Sequence, residues 1–303
     1  MQVLDAAAAE AALPWDRLVP ALRDAFRGCT EAPQRHRHAL RHGTLLLMPA
    51  WQERWMGVKI VTVHPGNAAH GLPAVHSTYL LSDAQTGRPV ALLDGDTLTE
   101  RRTAAASALA ASYLAQPDAS RLLVVGAGRV ARLLAPAHAS VRALGRIEVW
   151  ARNGAAAEAL AAEWRAGGLP ATAAPDLQAA VAQADIVSCA TLATEPLIHG
   201  AWLRPGTHLD LVGAFRPDMR EADADAVAGS AVFVDTEAAL AEAGELAGYP
   251  AGAVRGTLAT LCRGGAGRGA TAEVTLFKSV GTAVEDLAAA VLAWGGGRRD
   301  ARP

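Results

Sequence analysis

A chain of 303 residues, half of them apolar and 19% charged, has room for one large or two ordinary domains and is too apolar to remain disordered. Its formal net charge of −2 offers nothing to hold nucleic acid or an anionic membrane. Cys29, Cys189 and Cys262 are odd in number and in no paired spacing, which predicts reduced thiols in the cytoplasm rather than a disulfide framework or a zinc site.

The N-terminal "MQVLDAAAAEAALPW" carries Asp5 and Glu10 and no basic leader, so it reads as a short strand and a helix start, not a signal peptide. No apolar run reaches the ~18 residues that a membrane span needs. Residues 15–28 show helical apolar spacing (Leu18, Leu22, Phe26) ending at Gly28. From 35 to 93 the pattern is one of short strands, "TLLLMPAW", "GVKIVTVHP", "VHSTYLLSD" and "PVALLDGD", in an antiparallel-looking arrangement with a hairpin turn at "DAQTGRP". A helix, "TLTERRTAAASALAASYLA", stops before Pro117. Strands then alternate with helices: "RLLVVGAG", "RIEVWAR", the weak "ATAAP", "DIVSCAT", "HLDLVGA" and "AVFVD" are the strands. The segment "EVTLFKSVGTAVEDLAAAVLAW" is a strand or turn followed by a helix, and "GGGRRDARP" after it is expected to fray.

Strand–helix alternation means a parallel sheet covered on both faces. The fold class expected is therefore α/β: a doubly wound Rossmann-type domain at 118–276, and a β-rich α+β domain formed by 1–117 with 277–303.

"VVGAGRVA" is a G-x-G-x-x-A sequence (Gly126, Gly128, Ala131) that follows a strand and opens a helix, the context of a dinucleotide-binding loop. Gly126 permits the tight turn, Gly128 lets backbone approach a pyrophosphate, and Ala131 lets helix and strand pack closely. The next strand ends Trp150-Ala151-Arg152-Asn153, without the acidic residue that binds ribose hydroxyls in NAD sites; Glu148 comes one pleat too early. Arg152 is placed to meet a 2′-phosphate or to be a solvated surface charge, and the first alternative favours NADP(H) over NAD(H).

The β-rich part carries Arg35, Arg37, Arg41, Lys59, Arg101 and Arg102. Lys59 sits in an otherwise apolar strand, and Arg102 in a helix of Ala, Leu and Ser with few carboxylates nearby. Burying such charges is costly unless an anion meets them, so they suggest a pocket for a small carboxylate; solvated edge-strand charge would look the same. His36, His38 and His42 are interleaved with arginines that repel a cation, so no metal is expected. No Ser-His-Asp or Cys-His arrangement is readable.

At this point the residues resemble the ornithine cyclodeaminase/μ-crystallin family from about residue 30 to 294. The matching pieces are "PQR", "LLLMPAW", "KIVTVHPGN", "GLPAV", "ALLDGDTLTERRTAAASALAASYLA", "VVGAGRVA", "CATLATEPLI", "RPGTHLDLVGA", "VFVDT" and "FKSVGTAVED", in family order and spacing. The resemblance implies a homodimer with a Rossmann domain and a substrate and dimerisation domain. It implies that Arg35, Lys59 and Arg102 hold the substrate carboxylate, that Lys59 is catalytic, and that Thr103 lies against the cofactor phosphates. Thr191, Leu192 and Ala193 of "TLAT" would pass near the ribose and nicotinamide, as would Val212 at the end of "HLDLVGA". Hydride would move between a nicotinamide and the α-carbon of a small amino or imino acid.

Two departures steer this reading. The aspartate that cyclodeaminases carry after the second "VG-small" is here Phe215, and the glutamine after the phosphate-loop glycines is replaced by Arg129-Val130, which take those cofactor-side positions. "GAFRPDMRE" resembles the μ-crystallin type instead. The expected function is thus an NAD(P)H-dependent reductase of cyclic ketimines such as pyrroline- or piperideine-2-carboxylate, with Phe215 as an apolar wall. The alternatives are ornithine cyclodeaminase, converting L-ornithine to L-proline plus ammonia, and a non-catalytic NADP(H)-binding protein.

Overall fold

Asp5 ends the first strand by capping the first helix, its carboxylate accepting the Ala8 N–H at 2.9 Å. The computed structural model, which describes residues 1–296, continues from there as β1 (Gln2–Leu4), α1 (Ala6–Ala12), α2 (Trp15–Arg27), β2 (His36–Leu40), β3 (Gly43–Trp51), β4 (Trp55–Val63), β5 (Val75–Asp83), β6 (Pro89–Asp94) and α3 (Gly95–Leu114). Then follow β7 (Arg121–Val125), α4 (Arg129–Ala139), β8 (Arg146–Trp150), α5 (Gly154–Ala166), β9 (Ala171–Ala173), α6 (Leu177–Gln183), β10 (Ile186–Cys189) and β11 (His208–Leu211). The remainder is α7 (Ala224–Ala228), β12 (Ala231–Val234), α8 (Ala239–Glu242), β13 (Gly256–Thr257), α9 (Leu258–Cys262), β14 (Thr275–Lys278) and α10 (Ala283–Gly296). The fraying expected of "GGGRRDARP" falls, from residue 297 onward, outside the described residues.

Two compact units divide the chain: Met1–Arg102 together with the chain from Thr282, and Thr103–Gly281. In the first, six strands form one sheet in the order β1-β6-β5-β4-β3-β2. All neighbours are antiparallel except β1, which pairs parallel with β6. The expectation of an antiparallel part needs this correction, because β1 is separated from β6 along the chain by the other strands and no hairpin dictates its direction. One sheet face is buried through Met48, Ala50, Val61, Tyr79 and Leu81; α10 packs on β3, β4 and β5, and α2 packs on α10. Helix α2 turns Leu18, Val19, Leu22 and Phe26 inward, the stripe its spacing predicts. Gly57 is obligatory: a Cβ there would stand 2.4 Å from the Tyr79 hydroxyl, whose ring lies across the strand. The opposite sheet face carries the cross-strand pairs Leu47–Ile60 and Pro49–Val58, all only partly covered.

The second unit holds eight strands, all parallel, in the order β13-β12-β14-β11-β10-β7-β8-β9. Strands β10 and β11 are buried at every position and β7 at all but Arg121, as a helix-covered parallel sheet requires, with Ser188, His208 and Asp210 as buried polar exceptions. Strand β14 lies between β11 and β12, so Phe277 and Lys278, placed with the other domain on sequence grounds, are hydrogen-bonded into this sheet. Helix α3 starts in the first unit and continues into the second at Thr103; residues Ala104–Ala106 and Ala108–Ala111 are all buried, which accounts for a helix of small residues without a polar face. Among the described residues no helix is long and apolar enough to cross a membrane.

Candidate functional site

In the first unit the candidate side chains gather around Lys59. The pleat of β4 turns Lys59 to the buried face, 2% exposed, directly across from Tyr79 on β5. Its ammonium donates to Asp286 Oδ1 at 3.0 Å and to Thr99 Oγ1 at 3.2 Å. The same Asp286 oxygen accepts from Arg102 Nε at 2.9 Å, and Arg102 Nη1 donates to Glu285 Oε2 at 2.6 Å. The anions that the buried cations demand are therefore supplied from α10, which corrects the expectation of few carboxylates near Arg102. Burial lowers the Lys59 pKa to about 8; the Asp286 charge works against this, while Arg102 and Arg35 reinforce it. Arg35 is thus within electrostatic reach of Lys59, and the structure brings Arg35, Lys59 and Arg102 together. Two buried atoms, Asp286 Oδ2 and Tyr79 Oη, have no hydrogen-bond partner among the described residues. Burial first, and the Asp286 charge second, push the Tyr79 hydroxyl well up, so it stays protonated.

The other cations counted from sequence serve the framework. Arg101 donates to the Leu13 carbonyl from Nε and Nη2 and lies 4.1 Å from the Trp15 ring centroid, which ties α3 to the start of α2. Arg37 and Arg41 are exposed at the β2 edge.

In the second unit the candidate cofactor residues line the C-terminal ends of the strands, where open α/β sheets bind ligands. Gly126 follows β7 with φ +118°, and a Cβ there would stand 2.6 Å from the Ala190 carbonyl oxygen. Gly128 is different. Its φ of −83° suits any residue and a Cβ would meet nothing within 4 Å, so the fold itself does not ask for glycine. It is also the N-cap of α4 and makes no side-chain cap bond. A cradle that a Cβ would fill, at a helix N-terminus, fits a phosphate group. Arg129 is exposed and Val130 half-buried in the first turn, and Ala131 is buried against the sheet. Arg152 is exposed beyond β8, whereas the Asn153 side chain accepts from Ala155 and Ala156 N–H and so caps α5. Glu148 is taken by Arg146 at 2.9 Å. Thr103 is half-buried in α3, Leu192 projects into solvent, Ala193 is half-buried, and Val212 is buried at the end of β11. Phe215 is 44% exposed on the loop after it.

Three acids lie outside the expectations drawn from the sequence. Asp286 and Glu285 had a readable signal: adjacent carboxylates in a helix otherwise built of Ala, Leu and Val, the same anomaly that marked Lys59. Glu221 had none; it is fully buried and binds both the Thr191 and the Gly213 segments, a relation that only tertiary structure creates. Cys189 and Cys262 are buried, Cys29 is exposed, and all three are free thiols. Burial pushes the Cys189 thiol well up, so it is no nucleophile.

Comparison with known proteins gives one answer. Residues 2–294 match the model of the ornithine cyclodeaminase/mu-crystallin family. The Delta(1)-pyrroline-2-carboxylate reductase of Paracoccus denitrificans is 46% identical over 255 residues, 81% of either chain. The ketimine reductase mu-crystallin of Rattus norvegicus is 34% identical over 268 residues, 86% of this chain and 83% of that one. The Thermococcus litoralis Delta(1)-pyrroline-2-carboxylate reductase, solved with NADH and L-proline, superposes with a TM-score of 0.93 at 33% identity, covering 99% of this chain and 98% of that one.

Proposed function

The chain belongs to the ornithine cyclodeaminase/mu-crystallin family, and on that premise we propose that it is a nicotinamide-dinucleotide-dependent reductase of small cyclic ketimines, with Δ1-pyrroline-2-carboxylate as the leading substrate. The observation that carries the choice within the family is Phe215. A ring stands where cyclodeaminases place the aspartate that manages a second amine, and a phenyl group neither accepts a proton nor pairs with an ammonium. The similarity to two pyrroline-2-carboxylate reductases points the same way.

The phosphate loop Gly126–Ala131 and the N-terminus of α4 would hold the dinucleotide pyrophosphate, with Thr103, Thr191, Leu192, Ala193 and Val212 along the rest of the cofactor. The bound nicotinamide supplies the hydride that reduces the imine carbon. Arg152, with no acid at the end of β8, supports NADP(H) over NAD(H). Asn153 contributes by fixing the start of α5 rather than by offering its own side chain.

Arg35, Arg102 and Lys59 would bind the substrate carboxylate. Thr99 and Asp286 occupy two of the three Lys59 donors, which leaves one N–H for a substrate atom. Lowered to about 8, Lys59 is still mostly protonated at neutral pH and can give up a proton to the imine nitrogen as it becomes an amine. The partly covered apolar sheet face bearing Leu47, Pro49, Val58 and Ile60 supports a homodimer formed through the first unit. We place the protein in the cytoplasm, in keeping with its three free thiols.

The test is a substrate panel: Δ1-pyrroline-2-carboxylate, Δ1-piperideine-2-carboxylate, pyruvate with ammonia, and L-ornithine, each with NADPH and with NADH. Oxidation of the reduced nucleotide with a cyclic imine is the result expected. Equal rates with and without imine would sink the proposal, and ammonia release from L-ornithine without net NADH formation would put a cyclodeaminase in its place.

A further inference from the structure

We propose that Glu221 is a positioning residue whose single buried carboxylate locks the loops that leave β10 and β11, and with them Phe215, into one arrangement. The inference rests on the roles of Thr191 and Phe215 given above.

Both carboxylate oxygens are fully used. Oε1 accepts the Thr191 backbone N–H at 2.6 Å and the Thr191 hydroxyl at 2.8 Å. Oε2 accepts the Gly213 N–H at 2.7 Å and the Ala214 N–H at 3.3 Å. Burial raises the Glu221 carboxyl above its ordinary value, and the Lys278 charge and the Thr191 bonds counter this only in part. The sheet ladder itself stops one residue earlier: Ala190 N–H reaches Val125 O and Val212 N–H reaches Cys189 O, both at 2.9 Å. Past those points the backbone donors of Thr191, Gly213 and Ala214 turn to Glu221. The carboxylate therefore governs the loops and not the strands.

The closeness is enforced at Gly213. A Cβ there would stand 2.0 Å from Thr191 O and 2.4 Å from Glu221 Oε1, so only glycine lets the two loops close on the acid. Residues 215–220 leave and return across this clamp. Phe215 N–H donates to Gly213 O at 3.0 Å, Arg220 N–H donates to Ala193 O at 2.8 Å, and the Met219 side chain is buried. The exposed ring of Phe215 thus projects from a loop whose base is fastened. Glu221 is in turn held from behind: its own N–H donates to Glu245 Oε1 at 2.7 Å, and Glu245 Oε2 lies 3.5 Å from the fully buried Lys278 ammonium.

The experiment compares wild type with Glu221→Gln by hydrogen–deuterium exchange, alongside steady-state kinetics and dinucleotide affinity. Glutamine keeps the shape but must turn an amide N–H₂ toward backbone N–H donors. Exchange over residues 190–194 and 212–216 should rise by about ten-fold or more, as expected for the loss of charge-assisted bonds, with 186–189 of β10 unchanged. kcat/KM for the cyclic imine should fall by about ten-fold or more from the displaced loops, and dinucleotide affinity should change less. If glutamine does not fold, Glu221→Asp retains the charge on a shorter arm, and protection should then be lost at one of the two loops. Unchanged exchange at both loops overturns the proposal, as does faster exchange with kcat/KM intact. A wild-type protein that reduces no imine, with faster exchange in Glu221→Gln, supports the clamp and overturns the reductase reading alone.

Discussion

Lys59 Nζ lies 3.0 Å from Asp286 Oδ1 although 227 residues separate them in the chain. The pair joins β4 to α10 inside the first unit and sets the proton affinity of the lysine. Burial lowers that affinity and Asp286 restores part of it, so removing Asp286 moves the Lys59 pKa further below about 8. For a lysine that must be protonated to assist imine reduction, activity falls as pH rises through its pKa. Asp286→Asn should therefore shift the high-pH limb of kcat/KM to lower pH, by on the order of one unit. Lys59→Ala should lower kcat by about 10²-fold or more and leave dinucleotide binding intact. A pH–rate profile with both variants checks the two statements.

The two loop glycines should separate folding from binding. Gly128→Ala has a suitable φ and open surroundings, so its Tm should match wild type while its dinucleotide Kd rises about ten-fold or more from crowding of the pyrophosphate. Gly126→Ala should instead cost stability, about 1–3 kcal/mol from the positive φ and more from contact with Ala190 O. Thermal melts and nucleotide titrations of both variants read this directly.

Arg152→Ala should reduce the preference for NADPH over NADH by about ten-fold, the effect of one guanidinium–phosphate contact. The ratio of kcat/KM for the two nucleotides is the measurement. An unchanged ratio would return Arg152 to the status of a surface charge.

Ile60 is 39% exposed on the partly covered sheet face, paired with Leu47. Ile60→Glu should leave the fold intact, since the position is not in the core, and convert a homodimer to a monomer by burying an unpaired charge at the interface. Analytical ultracentrifugation would show the change in mass.

Stability should depend on pH through two buried histidines and an opposed buried aspartate in the second unit. His138 is fully buried and its pKa falls to about 3; His208 moves the same way, burial being the main cause for both. Their contribution is complete above the unfolded value near 6.5 and is lost as pH falls from there. Asp210, beside Ser188 in the sheet interior, is raised by burial to about 7. Its contribution is complete below the unfolded value near 3.8 and is lost as pH rises toward 7. The slopes oppose each other between these limits. Asp210→Asn removes one of them, so denaturation midpoints of the variant should rise with pH relative to wild type, by roughly 1 kcal/mol per pH unit.

Much of this architecture is legible locally. The turn from β7 into α4 is written in "VVGAGRVA", and the parallel sheet in the recurrence of apolar runs between helices. The position of β14 is not, because a short run such as "EVTLFK" at the end of an alternating series carries no mark of which two strands will admit it; it is read as a strand or turn, and register comes from the partner. The same limit governs the site. Lys59 announces itself as a charge in an apolar strand, but its partner does so only once α10 is read with equal suspicion. Arg101 and Arg102 are adjacent and alike in sequence; helix geometry sends one to the Leu13 carbonyl and the other to Asp286. Glu221 looks like any surface acid after "DMR" until the backbone donors of two distant loops converge on it.

The insertion of β14 between β11 and β12 also dictates when the molecule can be completed. During synthesis, β11 and β12 emerge long before the strand that separates them, and until Thr275–Lys278 leaves the ribosome both present unpaired edges. The first unit gains its last ion pairs equally late, since Asp286 and Glu285, which pair with Lys59 and Arg102, lie on α10. A chain cut short before residue 275 would lack both β14 and α10, and the edges it leaves open on β11 and β12 should make it aggregation-prone.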